Sequence, residues 1–416
     1  MGAVNGALPP LVDCEDVAWF RDQPATARGA AAALGRRVGL GEHRTSELVL
    51  AVAELATNMD KHSEDGSLVL RVLRTPQVAG VEVLVVDQGP GIADLPAALR
   101  DGMSSAGTLG IGLGAVRRLA DTFDIHSQLG LGTVQLARFW PRPAPPSLDT
   151  EPSVAGITRP ISGETICGDA WATRTDDQTH PSPATPYTTG AHPPAGKAAV
   201  FDWSAVTSPR LPDRSASPTA RPARGIEPAS PDGFRRAGRS ALVHSATPGP
   251  GNAVLVMSCD GLGHGPMAAL AGQAAAQALR TSTARTPEEA MQHVHRALRG
   301  TRGAAVAIAR IEADGRVLFC GVGNITAAIV TDSSRANLLS HPGIVGHQMH
   351  SLRTYELQLS PHAALVMHSD GLSDRWTPGD LAGLLHHRPA IVAAGLLRLA
   401  GTRRDDASVV VARSHR

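Results

Sequence analysis

Aromatic residues make up only 3% of this 416-residue chain, so its cores must be built from Val, Leu, Ile and Ala within a 42% hydrophobic content. Cysteine is equally scarce. Cys14, Cys167, Cys259 and Cys320 stand far apart with no C-x-x-C pair. That spacing argues against a disulfide framework or a zinc site and suits a reducing cytosol. Net charge is nearly absent too, since 39 basic and 38 acidic residues leave +1, which removes the electrostatic footprint of a nucleic-acid or anionic-membrane binder. No apolar run approaches the roughly 20 residues that span a bilayer. No basic segment precedes an apolar block at the N-terminus. The expectation is a cytoplasmic protein, and the length favours two domains.

What is present is organised. Residues 44–62, "RTSELVLAVAELATNMDKH", place Leu48, Val52, Leu55 and Met59 at helical spacing on one stripe. Strand-like runs follow at 67–73 and 81–87, then a helix from Gly112 or Gly114 and a strand at 133–140. "PRPAPPSLDTEPS" (141–153) reads as a linker. From Thr175 to Pro250, Pro, Ser, Thr, Ala and Gly dominate without periodicity, which predicts a disordered insertion with one apolar island at 198–206. Order returns with the strand "AVLVMSC", a helix from Pro266 to Arg280, and a capping box Thr286-x-x-Glu289. Further strands are expected at 303–311, 317–323, 363–370 and 407–413.

Two glycine-rich systems carry the chemistry. In the first, Glu54, Asn58 and Lys61/His62 share the polar face of the 44–62 helix. A solvated face is the ordinary explanation for such a trio. Its company changes the odds: Asp87 ends a strand and is followed by Gly89-Pro-Gly91-Ile92, where a ligand can approach the backbone and the carboxylate can accept from an exocyclic amine. "GTLGIGLG" then places glycines before a helix N-terminus, whose free N–H groups and dipole suit a polyphosphate.

These boxes, "ELATN", "DQGPGI", "GTLGIGLG" and "GLGT", in this order resemble the GHKL ATPases, and the block from Ala98 to Thr133 is similar to the RsbT-type serine kinases and their anti-sigma relatives. The resemblance implies a Bergerat-type α/β sandwich over residues 1–140 that binds ATP with Mg²⁺. It assigns Asn58 to Mg²⁺ and Asp87 to the adenine amine. Gly89, Gly91, Ile92, Gly110, Gly112, Leu113, Gly114 and Thr133 fall to the nucleotide and its lid. Glu54 would be the base that takes the serine hydroxyl proton. A sensor histidine kinase would need a phosphoacceptor hairpin before the first box, and fewer than 45 residues precede that helix. An anti-sigma factor with the same pocket remains a second reading.

In the second system Asp260 ends a strand with Gly261 and Gly263 beside it, and Asp169 ("GDAW"), Asp370 ("HSDGLSD") and Asp405/Asp406 ("RRDDASVVVA") repeat the setting. One such Asp-Gly is ordinarily a tight turn. Four carboxylates at strand ends provide the oxygen ligands that hard divalent cations need, and would repel one another without them. "GDAW", "DGLGHGPMAALA", "TRGAAVAIARI", "GVGNI", "PGIVGHQ", "HSDGLSDRW" and "RDDASVVVA" resemble the SpoIIE branch of the PPM serine/threonine phosphatases, within it the RsbX-like group. The resemblance implies a PPM-type αββα sandwich over 159–416 after a linker at 141–158, so that the whole chain is α/β (α+β). It assigns two Mn²⁺ or Mg²⁺ ions to Asp169, Asp260, Gly261, Asp370 and Asp405 or Asp406. Asp260 would bridge them, and Asp260 and Asp370 would act in catalysis, where a water made acidic by the metals attacks the phosphoester in line. His264 is as well explained by packing or solvation. The roughly ninety residues between Asp169 and Asp260 exceed the family's short connection, yet closure entropy grows slowly enough for them to loop out. Implied partners are STAS-domain anti-anti-sigma proteins, and the resemblance also allows a sigma factor and a second copy of the chain.

Overall fold

The structure, a computed structural model, describes residues 13–21, 24–75, 77–100, 112–144, 153–176, 241–243 and 253–413. The first half contains β1 (Asp13–Phe20), α1 (Ala27–Val38), α2 (Glu42–His62), β2 (Ser67–Arg74), β3 (Ala79–Val86), α3 (Leu95–Ala98), α4 (Gly112–Leu119), β4 (Thr122–Gln128) and β5 (Gly132–Phe139). The strands form one antiparallel sheet in the order β1-β2-β3-β5-β4. Its first face carries Leu68, Leu70, Val83 and Val85 against Leu34 of α1 and Leu48, Val52, Leu55 and Met59 of α2. The stripe read from helical spacing is therefore the buried one.

The alternate residues Val69, Leu84, Val86, Val134 and Leu136 are buried on the other face. Strands covered on both sides need no polar alternation, which is why "SLVLRVL" is a nearly unbroken apolar run.

The second half contains β6 (Val154–Arg159), β7 (Asp169–Asp176), β8 (Ala241–Val243), β9 (Ala253–Gly261), α5 (Pro266–Thr281), α6 (Pro287–Ala297), β10 (Ala304–Glu312), β11 (Arg316–Val322), β12 (Thr326–Val330), β13 (Arg335–Leu338), β14 (Ser340–His341), β15 (Thr354–Gln358), β16 (Ala364–His368), α7 (Pro389–Ala400) and β17 (Ala407–Arg413). One sheet runs β7-β9-β10-β11-β15-β8 with β14 beside β11, and the other runs β13-β12-β16-β17-β6. Val256, Ala307 and Phe319 of the first sheet meet Ala327, Met367 and Val410 of the second in a sandwich interior. Outside the first sheet lie α5 and α6, held by Ala271, Ala275, Met291 and Val294 on Leu255, Met257 and Ile308. The Thr286–Glu289 capping box starts α6 as expected.

Outside the second sheet lies α7, and it does two jobs. Ile391, Val392, Leu396 and Leu397 share one core with Val366, Val409 and Val411 of that sheet and with the outer face of the ATP-side sheet. A helix clamped between two sheets must be apolar around its circumference, and "PAIVAAGLLRLA" is. Truncating Leu396 to Ala removes contacts to this core and costs about 2–5 kcal/mol. Polar ties reinforce the junction. Asp16 of β1 accepts from Thr158 N at 2.6 Å and Thr158 Oγ1 at 2.7 Å. Arg71 joins Asp16 and Glu82 and donates to the Gly156 carbonyl. Asp124 accepts from His387 Nδ1 at 2.8 Å and from Arg388 N at 3.1 Å.

Two expectations change. The linker placed at 141–158 is shorter, because Val154–Arg159 pairs with β17 as an edge strand. The insertion placed at 175–250 loses both ends: β7 continues to Asp176, and Ala241–Val243 pairs with β15. The island at 198–206 lies outside the described residues, as does Gly110. Glu54 is buried at 9% exposure, unlike the solvated helix face that is the ordinary explanation for such a trio.

Candidate functional site

On the ATP side the site is assembled from the end of α2 and the turn after β3. Glu54 and Asn58 are one helical turn apart, and Asn58 Nδ2 donates to Glu54 Oε1 at 3.2 Å. Asp87 is 7% exposed and its Oδ1 accepts from Gly89 N at 2.8 Å. Burial raises its carboxyl above the usual range, while the Gly89 and Thr133 N–H groups and the Arg398 guanidinium pull it back. Backbone bonds in both directions join Asp87 to Thr133, fixing the β3 end against β5.

The turn admits only glycine at its tightest points. Gly91 has φ +74°, and a Cβ there would stand 2.5 Å from the Gln128 carbonyl oxygen. Ile92 N donates to Ser127 Oγ at 2.7 Å, and Ser127 in turn meets the Thr133 hydroxyl at 3.1 Å. Gly112 (φ +71°) opens α4, with Leu113 and Gly114 buried behind it. Asp87, Gly89, Gly91, Ile92 and Thr133 thus meet at one strand end, against which the end of α2 comes close, since a Cβ on Gly89 would stand 2.7 Å from the His62 carbonyl oxygen; Glu54 and Asn58 lie earlier on that helix.

On the phosphatase side strand register does the placing. Asp169 at the start of β7 lies directly opposite Asp260 near the end of β9. Asp169 is 6% exposed, and neither carboxylate oxygen makes a hydrogen bond of normal geometry, though Ser369 and Ser408 lie close by. Burial pushes Asp260 far above the usual carboxylate range, and Asp169, Asp370 and Asp405 push it further. Asp169 is raised by burial and by Asp406 and Asp370. Asp370 is raised by burial and by Asp405, and held back by Asn324, whose Nδ2 donates to its Oδ2 at 2.6 Å.

Like charges driven together with buried, partnerless oxygens fit a divalent-cation site, since cations remove both penalties at once. Among the described residues no three such side chains already stand at the spacing of a closed metal cage. Gly261 brings its backbone to within contact of the Ala268 and Gly168 carbonyls, which a Cβ would strike at 2.5 and 2.8 Å.

The adjacent aspartates separate cleanly. Asp406 is 3% exposed, and its two oxygens accept from Ile161 N at 2.7 Å and Gly168 N at 2.8 Å. It fastens the Asp169 loop to β17. Asp405 is exposed and acts electrostatically on Asp260 and Asp370. His264 sits 3.5 Å from Glu164 with most of its ring in solvent, as solvation predicts. Sequence reading missed Asn324, Ser369 and Arg398. The first lies inside "GVGNI", where an amide after a glycine turn was the available signal.

A glycine turn at a strand end and a cluster of carboxylates that raise one another are the two features with which the comparisons can be set side by side. Residues 21–138 match the histidine kinase-like ATPase domain, and residues 250–415 match stage II sporulation protein E. The serine/threonine-protein kinase RsbT of Bacillus subtilis (strain 168) is 36% identical over 117 residues, 27% of this chain and 88% of that protein. Among solved structures, the PP2C phosphatase domain of SpoIIE from Bacillus subtilis, with a fragment of its regulatory domain, is 13% identical with TM-score 0.39, covering 80% of this chain and 79% of that one. RsbX in complex with magnesium is 14% identical with TM-score 0.38, covering 62% and 92%. The chain belongs to the RsbT family of kinase-like ATPases through its N-terminal half and carries a SpoIIE/PP2C-type phosphatase domain in its C-terminal half. Nucleotide and divalent-metal use follow from those two domains.

Proposed function

We propose that the chain sets the phosphorylation level of a STAS-type anti-anti-sigma protein, adding phosphate to a serine or threonine with one half and removing it with the other. One observation supports the reading: a single compact body holds both a hydrogen-bonded Glu54–Asn58 pair on α2, with Glu54 buried, and an Asp169–Asp260 pair in strand register. On the ATP side Asp87 orients the adenine amine, Asn58 reaches the Mg²⁺, and the turn at Gly89–Ile92 lets the base approach the backbone. Glu54, held by Asn58, accepts the hydroxyl proton of the attacking serine.

On the phosphatase side Asp169, Asp260, Asp370 and Asp405, with the Gly261 backbone, would hold two divalent cations. The cations supply Lewis acidity and a water of lowered pKa. Asn324 fixes the Asp370 carboxylate, and Asp406 keeps the Asp169 loop in place. The kinase-type domain extends to about residue 140, and the phosphatase covers the rest after the linker.

A second reading keeps the phosphatase and makes the first domain a nucleotide-dependent grip on a STAS or sigma partner, without transfer. It is favoured by the buried position of Glu54, which a serine must reach. Incubation with γ-labelled ATP and candidate partners separates the two. Label on the partner that disappears in Glu54→Gln supports transfer. Stable partner binding without label in the wild-type chain sinks it. Absence of the membrane is not at issue in either: no described helix is long and apolar enough to cross one.

A further inference from the structure

Ten large hydrophobic side chains are exposed among the described residues, and five of them, Ile166, Leu262, Met267, Leu270 and Ile344, converge on the mouth of the carboxylate cluster. They arrive from three separate segments. Ile166 lies two residues before Gly168, and Leu262 follows Gly261 directly. Met267 and Leu270 occupy the outer face of the first turns of α5, while Ala268 and Ala271 beside them are fully buried. Ile344 sits in the loop after β14.

Short backbone contacts tie all three segments to Gly261, next to Asp260. A Cβ on Gly261 would meet the Ala268 carbonyl oxygen at 2.5 Å and the Gly168 carbonyl oxygen at 2.8 Å, so the start of α5 and the Ile166 loop both abut it. Across the sheet Gly261 stands opposite Ala304, and Ala304 exchanges backbone bonds with Val345, the residue after Ile344. Leu262 N donates to the Gly303 carbonyl at 3.1 Å, and Ile344 reaches Gly303 as well, where a Cβ would stand 2.7 Å from its Cγ2. The five side chains therefore surround the strand end that carries Asp260. They offer a hard cation no oxygen. Aliphatic groups left in water at 37–54% exposure gain nothing from the fold, and exposure clustered in this way marks a surface that another protein covers. Polar groups edge the patch as they edge protein interfaces: Glu164 beside His264, and Arg302 over Gly263.

We propose that this apolar mouth docks a phosphoprotein that presents aliphatic side chains around its phosphoserine or phosphothreonine, and that it thereby selects the substrate of the phosphatase domain. The occupant follows from position. Any phosphoryl group that reaches Asp169, Asp260 and Asp370 brings its flanking surface onto these five side chains. Covering them adds affinity in proportion to the apolar area removed from water, which a small phosphate ester cannot supply. The inference rests on the reading that those carboxylates hold the catalytic metals, and docking is therefore read apart from catalysis.

The test uses the full chain and two phosphoserine peptides of equal length and charge, one with Leu, Ile and Val around the phosphoserine and one with Ser, Gly and Asn. With Mn²⁺ the aliphatic peptide should be dephosphorylated with kcat/KM at least about tenfold higher, the difference lying in KM. Met267→Gln/Leu270→Gln exchanges two exposed apolar groups for polar ones of similar length. It should raise KM for the aliphatic peptide about tenfold, leave the polar peptide unchanged, and hydrolyse p-nitrophenyl phosphate within about twofold of wild type. Fluorescence anisotropy of the unphosphorylated peptides in EDTA reads docking without metals and should show the same preference, lost in the variant. The proposal is overturned if the two peptides are cut alike and bind alike, or if the preference survives in the variant. It is also overturned if the wild-type chain is a dimer that the variant dissociates while neither peptide is preferred, which would give the patch to a second copy. A wild-type chain that leaves p-nitrophenyl phosphate intact with Mn²⁺ contradicts the metal-site reading instead, and anisotropy then decides docking by itself.

Discussion

The two glycine-rich sites solve opposite electrostatic problems. On the ATP side three of the described polar groups have partners: Asp87 accepts from the Gly89 N–H, Asn58 donates to Glu54, and Ile92 N donates to Ser127. On the phosphatase side the carboxylates raise one another, and Asp169 keeps two buried oxygens without partners. A site that reads a neutral base edge can be finished before its ligand arrives. A site that grips cations stays frustrated until they do. The aspartate that follows the strand is common to both loops, and the number of other carboxylates around it tells them apart.

Substitutions can break this contrast. Asp370→Ala removes a proposed metal ligand and the acceptor of Asn324 Nδ2, and phosphate release from a phosphorylated STAS protein should fall about 10³-fold or more with any divalent metal, a loss read by phosphate assay. Glu54→Gln should lower transfer to the partner by about 10²–10⁴ while nucleotide affinity stays within a few-fold, since only proton removal is lost. Retained transfer would move the base elsewhere.

The neighbouring aspartates offer a sharper pair. Asp406→Ala orphans the Ile161 and Gly168 N–H groups and should destabilise the fold by about 2–4 kcal/mol, seen as a lowered denaturant midpoint. Asp405→Ala should leave that midpoint unchanged and weaken metal binding instead. The reverse pattern would exchange their roles.

A smaller effect concerns pH. Asp169, Asp260 and Asp370 have folded-state values raised above their unfolded ones. Their contribution is fully present below the unfolded value of about 4 and is lost as pH rises through the raised folded values. The metal-free chain should therefore lose stability as pH rises from about 4, and Asp260→Asn should flatten that slope. Saturating Mn²⁺ should reverse it. Asp124 works the other way, since its carboxyl is lowered despite burial by His387 and Arg388. Its part of the junction is present above the unfolded value and weakens as pH falls through the folded one. Asp124→Asn should remove that acid-side loss.

Legibility followed the range of the signal. Elements with local patterns were readable: the α2 stripe, the β9 run before Asp260 and the α6 capping box all stand within one or two residues of their expected places. Their motifs identified most of the groups that flank each site. Helix α7 was not read, because burial on all sides erases the periodicity that reveals a helix. Strands β1 and β6 were missed for a related reason. Each owes its place to partners far away in the sequence, β1 to β2 and β6 to β17. The division of labour between Asp405 and Asp406 depends on Ile161 and Gly168, more than two hundred residues upstream, and no spacing rule reaches so far.

One measurement reaches the central claim directly: the phosphorylation stoichiometry of a single site on a STAS partner, followed by intact-mass spectrometry with two variants of this chain. Asp370→Ala with MgATP should drive that site toward full occupancy, and Glu54→Gln with Mn²⁺ should then strip it from the same residue. If Asp370→Ala leaves the partner unmodified, or if the two variants act on different residues, the chain is not the two-way switch described here.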